Sequence, residues 1–180
     1  MSISELSWLG PLHQNLERLH NLHPLLRIAI LGVGNELRGD DGAGPAVVCA
    51  LQKTLAGHEN FLLADTGPAP ENFTGAIRRF TPQLVILIDA AVMDEAPGSI
   101  RWIDWRETSG FSASSHTLPL GVLAEYLTAE LSCEVFLIGI QPEDTSLEAS
   151  LSKPVQHARN ILVEALTAEF DPLVACSSRW

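Results

Sequence analysis

Asp40, Asp41, Asp65, Asp89 and His116 are the side chains of this sequence whose types suit metal-assisted or acid–base chemistry. A carboxylate can be an oxygen ligand or a base toward water, and a neutral imidazole is a common ligand for borderline divalent ions. Together, Asp41, Asp89 and His116 offer two oxygens and one nitrogen, leaving coordination positions open for water or a substrate group. Each has a plainer explanation when taken alone. One of Asp40 and Asp41 could be a helix cap, Asp89 could simply end a strand, and His116 could be an exposed loop imidazole. Asp65 reads as a turn-stabilising or supporting carboxylate more than as a ligand. What favours a site is the way the surrounding elements would place these groups.

The apolar run RIAILGV (27–33) reads as a buried strand ending in glycine. Asp40-Asp41-Gly42 supplies cap-type residues for the next helix, Pro45 suits its first turn, and Val47, Leu51 and Leu55 recur at every fourth position. FLLAD (61–65) is a second strand, TGPAP a turn, and a helix follows from near Pro70 to Phe80. QLVILID (83–89) is apolar on both faces, as an interior parallel strand should be. SIRWIDW (99–105) alternates like a half-exposed, antiparallel edge strand, and residues 106–116 read as a polar loop. A helix from Pro119 to Leu131, the interior strand CEVFLIGI (133–140) and a last amphipathic helix from Val155 to Phe170 complete the pattern. This alternation predicts an α/β fold of three layers, αβα, around a doubly wound, mostly parallel twisted sheet of about five strands. Ligands of such sheets bind beyond the carboxyl ends of the strands, where strand order reverses. The Asp40-Asp41 loop, Asp65, Asp89 and His116 all fall on that edge.

Residues 1–26 read as an N-terminal helical extension, with Leu9, Leu12, Leu16, Leu19 and Leu22 at helical spacing, ahead of a single α/β domain over residues 27–180. His13, His20 and His23 do not share one helix face and read as solvated. The tail DPLVACSSRW reads as a short mobile end.

Composition narrows the function classes. The 180 residues are 46% hydrophobic and suit one globular domain with a real core. Twenty-two acidic against 11 basic residues leave a net charge of -11, which repels phosphate backbones and anionic bilayers, so neither nucleic acid nor membrane is expected as a partner. No basic stretch precedes an apolar run at the N-terminus, and no apolar run is long enough to span a bilayer. Cys49, Cys133 and Cys176 form neither C-x-x-C nor an even set, which suggests reduced thiols in the cytoplasm, with Cys49 and Cys133 as small buried hydrophobes. Gly32 and Gly34 begin a G-x-G, but Leu37 replaces the third glycine of the dinucleotide fingerprint, and two carboxylates stand where a pyrophosphate would bind. No H-E-x-x-H and no recognisable Ser or Cys nucleophile motif is present. An alternative of another class is a receiver-like signalling module phosphorylated on Asp89. It ranks lower because Ile140 runs into Gln141-Pro142, without the lysine that would face a phosphoryl group.

The ordered motifs GVGNELRGDDGAGP, DTGPAPEN, LIDA, SHTLPL and FLIGIQP resemble those of the nickel-iron hydrogenase maturation endopeptidases. The likeness is greatest to the type that processes the large subunit of hydrogenase 3 in formate hydrogenlyase, and it runs from about residue 27 to 170. The resemblance implies a cytoplasmic endopeptidase that removes a C-terminal extension from the large-subunit precursor once nickel has been inserted. The family's metal-contacting positions fall on Asp41, Asp89 and His116, the trio reached above from sheet geometry. Nickel would come with the precursor, with no tightly held resident metal, and either Asp41 or Asp40 would act as base toward water, in keeping with the family's aspartic-type classification. The G-x-G-N loop at Gly32, Gly34 and Asn35 would line the substrate cleft together with Asp65, although a turn needed only for folding remains equally open for the glycines. Asp65-Thr66-Gly67 departs from the family's Asp-Gly-Gly, which puts the shape of that turn in question. A monomer is the simpler expectation.

Overall fold

Six consecutive buried residues, Ile28–Val33, make β1, and its pleat sends Ile28 and Ile30 to one face of the sheet and Ala29 and Leu31 to the other. The computed structural model describes residues 7–106 and 119–177, with side chains through residue 174. Four further strands, β2 (Phe61–Gly67), β3 (Leu84–Ala90), β4 (Ile100–Ile103) and β5 (Glu134–Ile140), join β1 in a sheet of order β2-β1-β3-β5-β4. All neighbours are parallel except β4, which runs antiparallel to β5 with Ile100 opposite Ile140. The predicted α/β class and the antiparallel edge are therefore as observed, with β4 shorter than the alternating segment suggested. This order also departs from the receiver-type order 2-1-3-4-5.

Helices α1 (Leu9–Leu22), α2 (Ala43–Leu55) and α5 (Lys153–Ser177) bury their apolar stripes against Ile28, Ile30, Ile86, Ile88 and Ile138 on one face. On the other face, α3 (Thr74–Phe80) and α4 (Leu120–Leu131) set Ile77, Leu123 and Leu127 against Ala29, Leu31, Val85 and Leu87. Leu9, Leu12, Leu16 and Leu19 of α1 lie in the same buried cluster as α2 and α5, whereas Leu22 is exposed. His13 bridges α1 to α5 through Glu169, its Nδ1 2.8 Å from the carboxylate, and that partner raises the imidazole pKa above its ordinary value. The three histidines do not gather. Among the described residues no three His, Cys, Asp or Glu side chains form a set that could hold a metal, and no helix is long and apolar enough to cross a membrane.

Three expectations need correction. The last helix does not stop at Phe170; it continues through Pro172 to Ser177, because Leu173 extends the buried stripe of Val155, Leu162, Leu166 and Phe170 past the proline. The carboxylates of Asp40 and Asp41 do not cap α2: its N-cap is Gly42 without a side-chain bond, and a 3₁₀ turn over Gly39–Gly42 precedes it. Cys133 is buried but Cys49 is exposed, since it falls on the outer side of α2 between the buried pair Val47 and Val48 and the buried Leu51.

Candidate active site

Strand β1 pairs with β2 on one side and β3 on the other, so successive connections leave it in opposite directions and a crevice opens beyond the carboxyl ends of β1 and β3. The first turn of α2 is pressed into that crevice. A Cβ on Gly44 would lie 2.2 Å from the Ile88 carbonyl oxygen and 2.5 Å from that of Val33, so only glycine lets the helix approach so closely. Gly34, at φ +130°, meets Asp41 in the same way: a Cβ there would fall 1.8 Å from the Asp41 carbonyl oxygen. These two contacts bring the turn carrying Asp41 over the end of β3, which carries Asp89.

Asp41 is partly exposed, and its Oδ2 accepts the Asn35 backbone N–H at 2.8 Å. Its other oxygen receives no hydrogen bond among the described residues. The Asn35 side chain serves its own loop instead, its Oδ1 accepting the Leu37 N–H at 3.0 Å in an Asx turn. The backbone of Asn35, rather than its amide side chain, thus reaches toward Asp41.

Asp89 is only 9% exposed and lies opposite Gly139 in the β3/β5 register. Burial is the largest influence on its carboxyl and the charge of Asp41 the next; the Ala90 N–H pulls the other way, and the net effect lifts its pKa to about 7. The Asp41 charge is close enough to oppose ionisation of Asp89. A proton relieves that opposition, and so does a cation placed between them.

Asp40 has a different environment from its neighbour. It is fully buried, and its carboxylate accepts three backbone N–H groups, from Glu143 at 2.8 Å, Asp144 at 3.0 Å and Ser152 at 2.6 Å. It fastens the segment after β5 to the turn that bears Asp41. Asp65 is exposed beside Gly32 in the β1/β2 register, and its Oδ1 accepts the Gly67 N–H at 2.9 Å, which makes it the carboxylate of its own turn. Thr66, the departure noted in the sequence, is buried and donates its hydroxyl to the Gly32 carbonyl at 2.9 Å, so it holds the glycine loop from beneath. His116 lies outside the described residues.

One residue at this edge had drawn no role from the sequence. Gln141, 8% exposed, accepts the Met93 N–H at 2.7 Å through Oε1 and donates Nε2 to its neighbour's carbonyl at Pro142. It clamps the chain leaving Asp89 to the end of β5. The signal was the Gln-Pro ending FLIGIQP, a polar residue directly after an apolar interior strand.

A family model described as HycI, hydrogenase maturation protease, matches residues 45–169. The hydrogenase 3 maturation protease of Escherichia coli (strain K12) is 35% identical over 138 residues, spanning 76% of this chain and 86% of that protein. The crystal structure of a [NiFe] hydrogenase maturation protease HycI from Thermococcus kodakarensis superimposes with a TM-score of 0.75 at 32% identity, covering 86% of this chain and 97% of that one. The solution structure of an endopeptidase HycI from Escherichia coli gives a TM-score of 0.69 at 33% identity, covering 77% of this chain and 88% of that one. The order of the motifs, the sheet and its paired carboxylates, and the match over more than two thirds of the chain have one explanation: this protein belongs to the nickel-iron hydrogenase maturation protease family.

Proposed function

We propose that this protein removes a C-terminal extension from the precursor of a hydrogenase large subunit, and that it recognises the precursor through nickel already seated there. The observation that carries this reading is the packing of the Asp41 turn over the end of β3 at the β1/β3 crevice, where the Asp41 charge disfavours ionisation of the buried Asp89 and a cation is a favourable third party. His116, which precedes α4 in the sequence, is the proposed third ligand. Its imidazole suits nickel as the two carboxylate oxygens do. The ion belongs to the substrate, which fits a pair of protein carboxylates at an open crevice rather than a closed metal cage.

Docking of that nickel fixes the precursor relative to the crevice and so places one peptide bond within reach of water. The metal supplies polarisation of a carbonyl or of the attacking water. Asp41 is the proposed base, because among the described residues only one of its oxygens accepts a hydrogen bond and the residue is partly exposed. The three amides held by Asp40 support a positioning role for that residue rather than proton transfer. Gly34, Asn35 and Asp65 shape the adjoining wall of the cleft.

The test is processing of a nickel-loaded precursor followed by mass spectrometry, with Asp41→Asn, Asp89→Asn and His116→Ala compared with the wild type. Each change is expected to slow cleavage by about 100-fold or more. Cleavage at the original rate by all three would remove the site assignment. A precursor without nickel should remain uncut by the wild type.

A further inference from the structure

We infer that the paired loops 36–38 and 143–149 form a docking lip beside the crevice, and that it grips a cationic segment of the precursor through an apolar side chain. This rests on the precursor-processing reading above and names the chemistry of the segment that reading requires.

Leu37 and Leu147 are each 67% exposed. Single exposed leucines are ordinary on any protein surface. These two are joined, because the N–H of Glu148 donates to the Leu37 carbonyl at 2.7 Å and so sets the two loops side by side. Five more bonds make the pair rigid. The Gly39 N–H donates to Ala149 at 3.2 Å, the Asp40 N–H donates to Asp144 at 2.8 Å, and the buried Asp40 carboxylate takes the amides of Glu143, Asp144 and Ser152. Two leucines are thus held out to solvent on an ordered double loop, a preorganised apolar surface that loses little freedom when covered. The same turn leads directly into Asp41, so the lip is continuous with the proposed cleavage site.

Charge selects the occupant. Glu36, Glu143, Asp144 and Glu148 are exposed on these loops, and the only opposing charge within them is Arg38. A segment with an apolar side chain flanked by lysine or arginine complements that surface, and an acidic one is repelled.

The experiment compares the full-length wild type with Leu37→Ser/Leu147→Ser and with Glu36→Lys/Glu148→Lys, all on nickel-loaded precursor. KM and kcat are measured by processing, and Kd by calorimetry. The leucine variant should raise KM and Kd about tenfold with kcat within about twofold of the wild type. The charge variant should weaken binding at low salt and lose the salt dependence seen in the wild type. Values of KM and Kd within about twofold of the wild type for both variants would overturn the lip. So would sedimentation showing that the leucines hold two copies of this chain together. A wild type that binds the precursor yet never cuts it would defeat the processing reading instead, and the Kd values of the two variants would still decide the lip.

Discussion

Replacing Asp89 by asparagine should stabilise the protein at alkaline pH and leave it nearly unchanged in acid. The folded carboxyl titrates at about 7 against an ordinary value of 3.8. Between those limits the folded state holds a proton that the unfolded chain has released, so stability falls as pH rises, by about 1.4 kcal/mol per unit. Above pH 7 both states are ionised and the loss is complete, at about 3–5 kcal/mol in total. Asparagine has the same shape without the proton, so its profile lacks this decline. The stability difference between Asp89→Asn and the wild type should therefore grow by about 3 kcal/mol from pH 5 to pH 8, measured by urea unfolding of both proteins in matched buffers. Asp41→Asn should reduce the growth, since removing that charge lets Asp89 ionise more readily. A difference that stays constant from pH 5 to pH 8, or shrinks, would refute the account of two opposed carboxylates. The same sign governs activity: a cation binds the ionised form, so processing by the wild type should decline as pH falls below about 7.

Asp40→Ala leaves three amides without their acceptor and should cost about 3 kcal/mol or more, with hydrogen exchange accelerated at Glu143, Asp144 and Ser152 before the rest of the sheet. Leu12→Ala, at a fully buried position of α1, should destabilise the whole chain by about 2–5 kcal/mol in a single unfolding transition, because α1 shares its core with α2 and α5. In a Cys176→Ser background at pH 8, a thiol reagent should label Cys49 quickly and Cys133 only on unfolding, since burial pushes the Cys133 thiol up to about 11.

Strands 27–33, 83–89 and 133–140 and the helices between them were legible because apolar periodicity is a local property of the chain. So was the grouping of the acidic positions at one edge, since alternating strands and helices oblige every βα loop to emerge on the same side. The extra turns of α5 were hidden because proline usually ends a helix, and only burial of Leu173 against a distant surface outweighs that tendency. The exposure of Cys49 was hidden as well, since an apolar stretch of sequence does not say which of its residues lies on the outer side of a helix.

The sequence by itself named candidate residues for the chemistry and determined the elements on which Asp40, Asp41, Asp65 and Asp89 ride, because side-chain type and hydrophobic spacing are written along the chain. The tertiary structure decided what each carboxylate does. Asp40 and Asp41 are neighbours of the same type, yet one is consumed by amides 103, 104 and 112 residues away and the other sets its charge against the ionisation of Asp89. Burial, and charges brought close by packing, set those different environments, and neither exists until β1, β3 and β5 lie side by side.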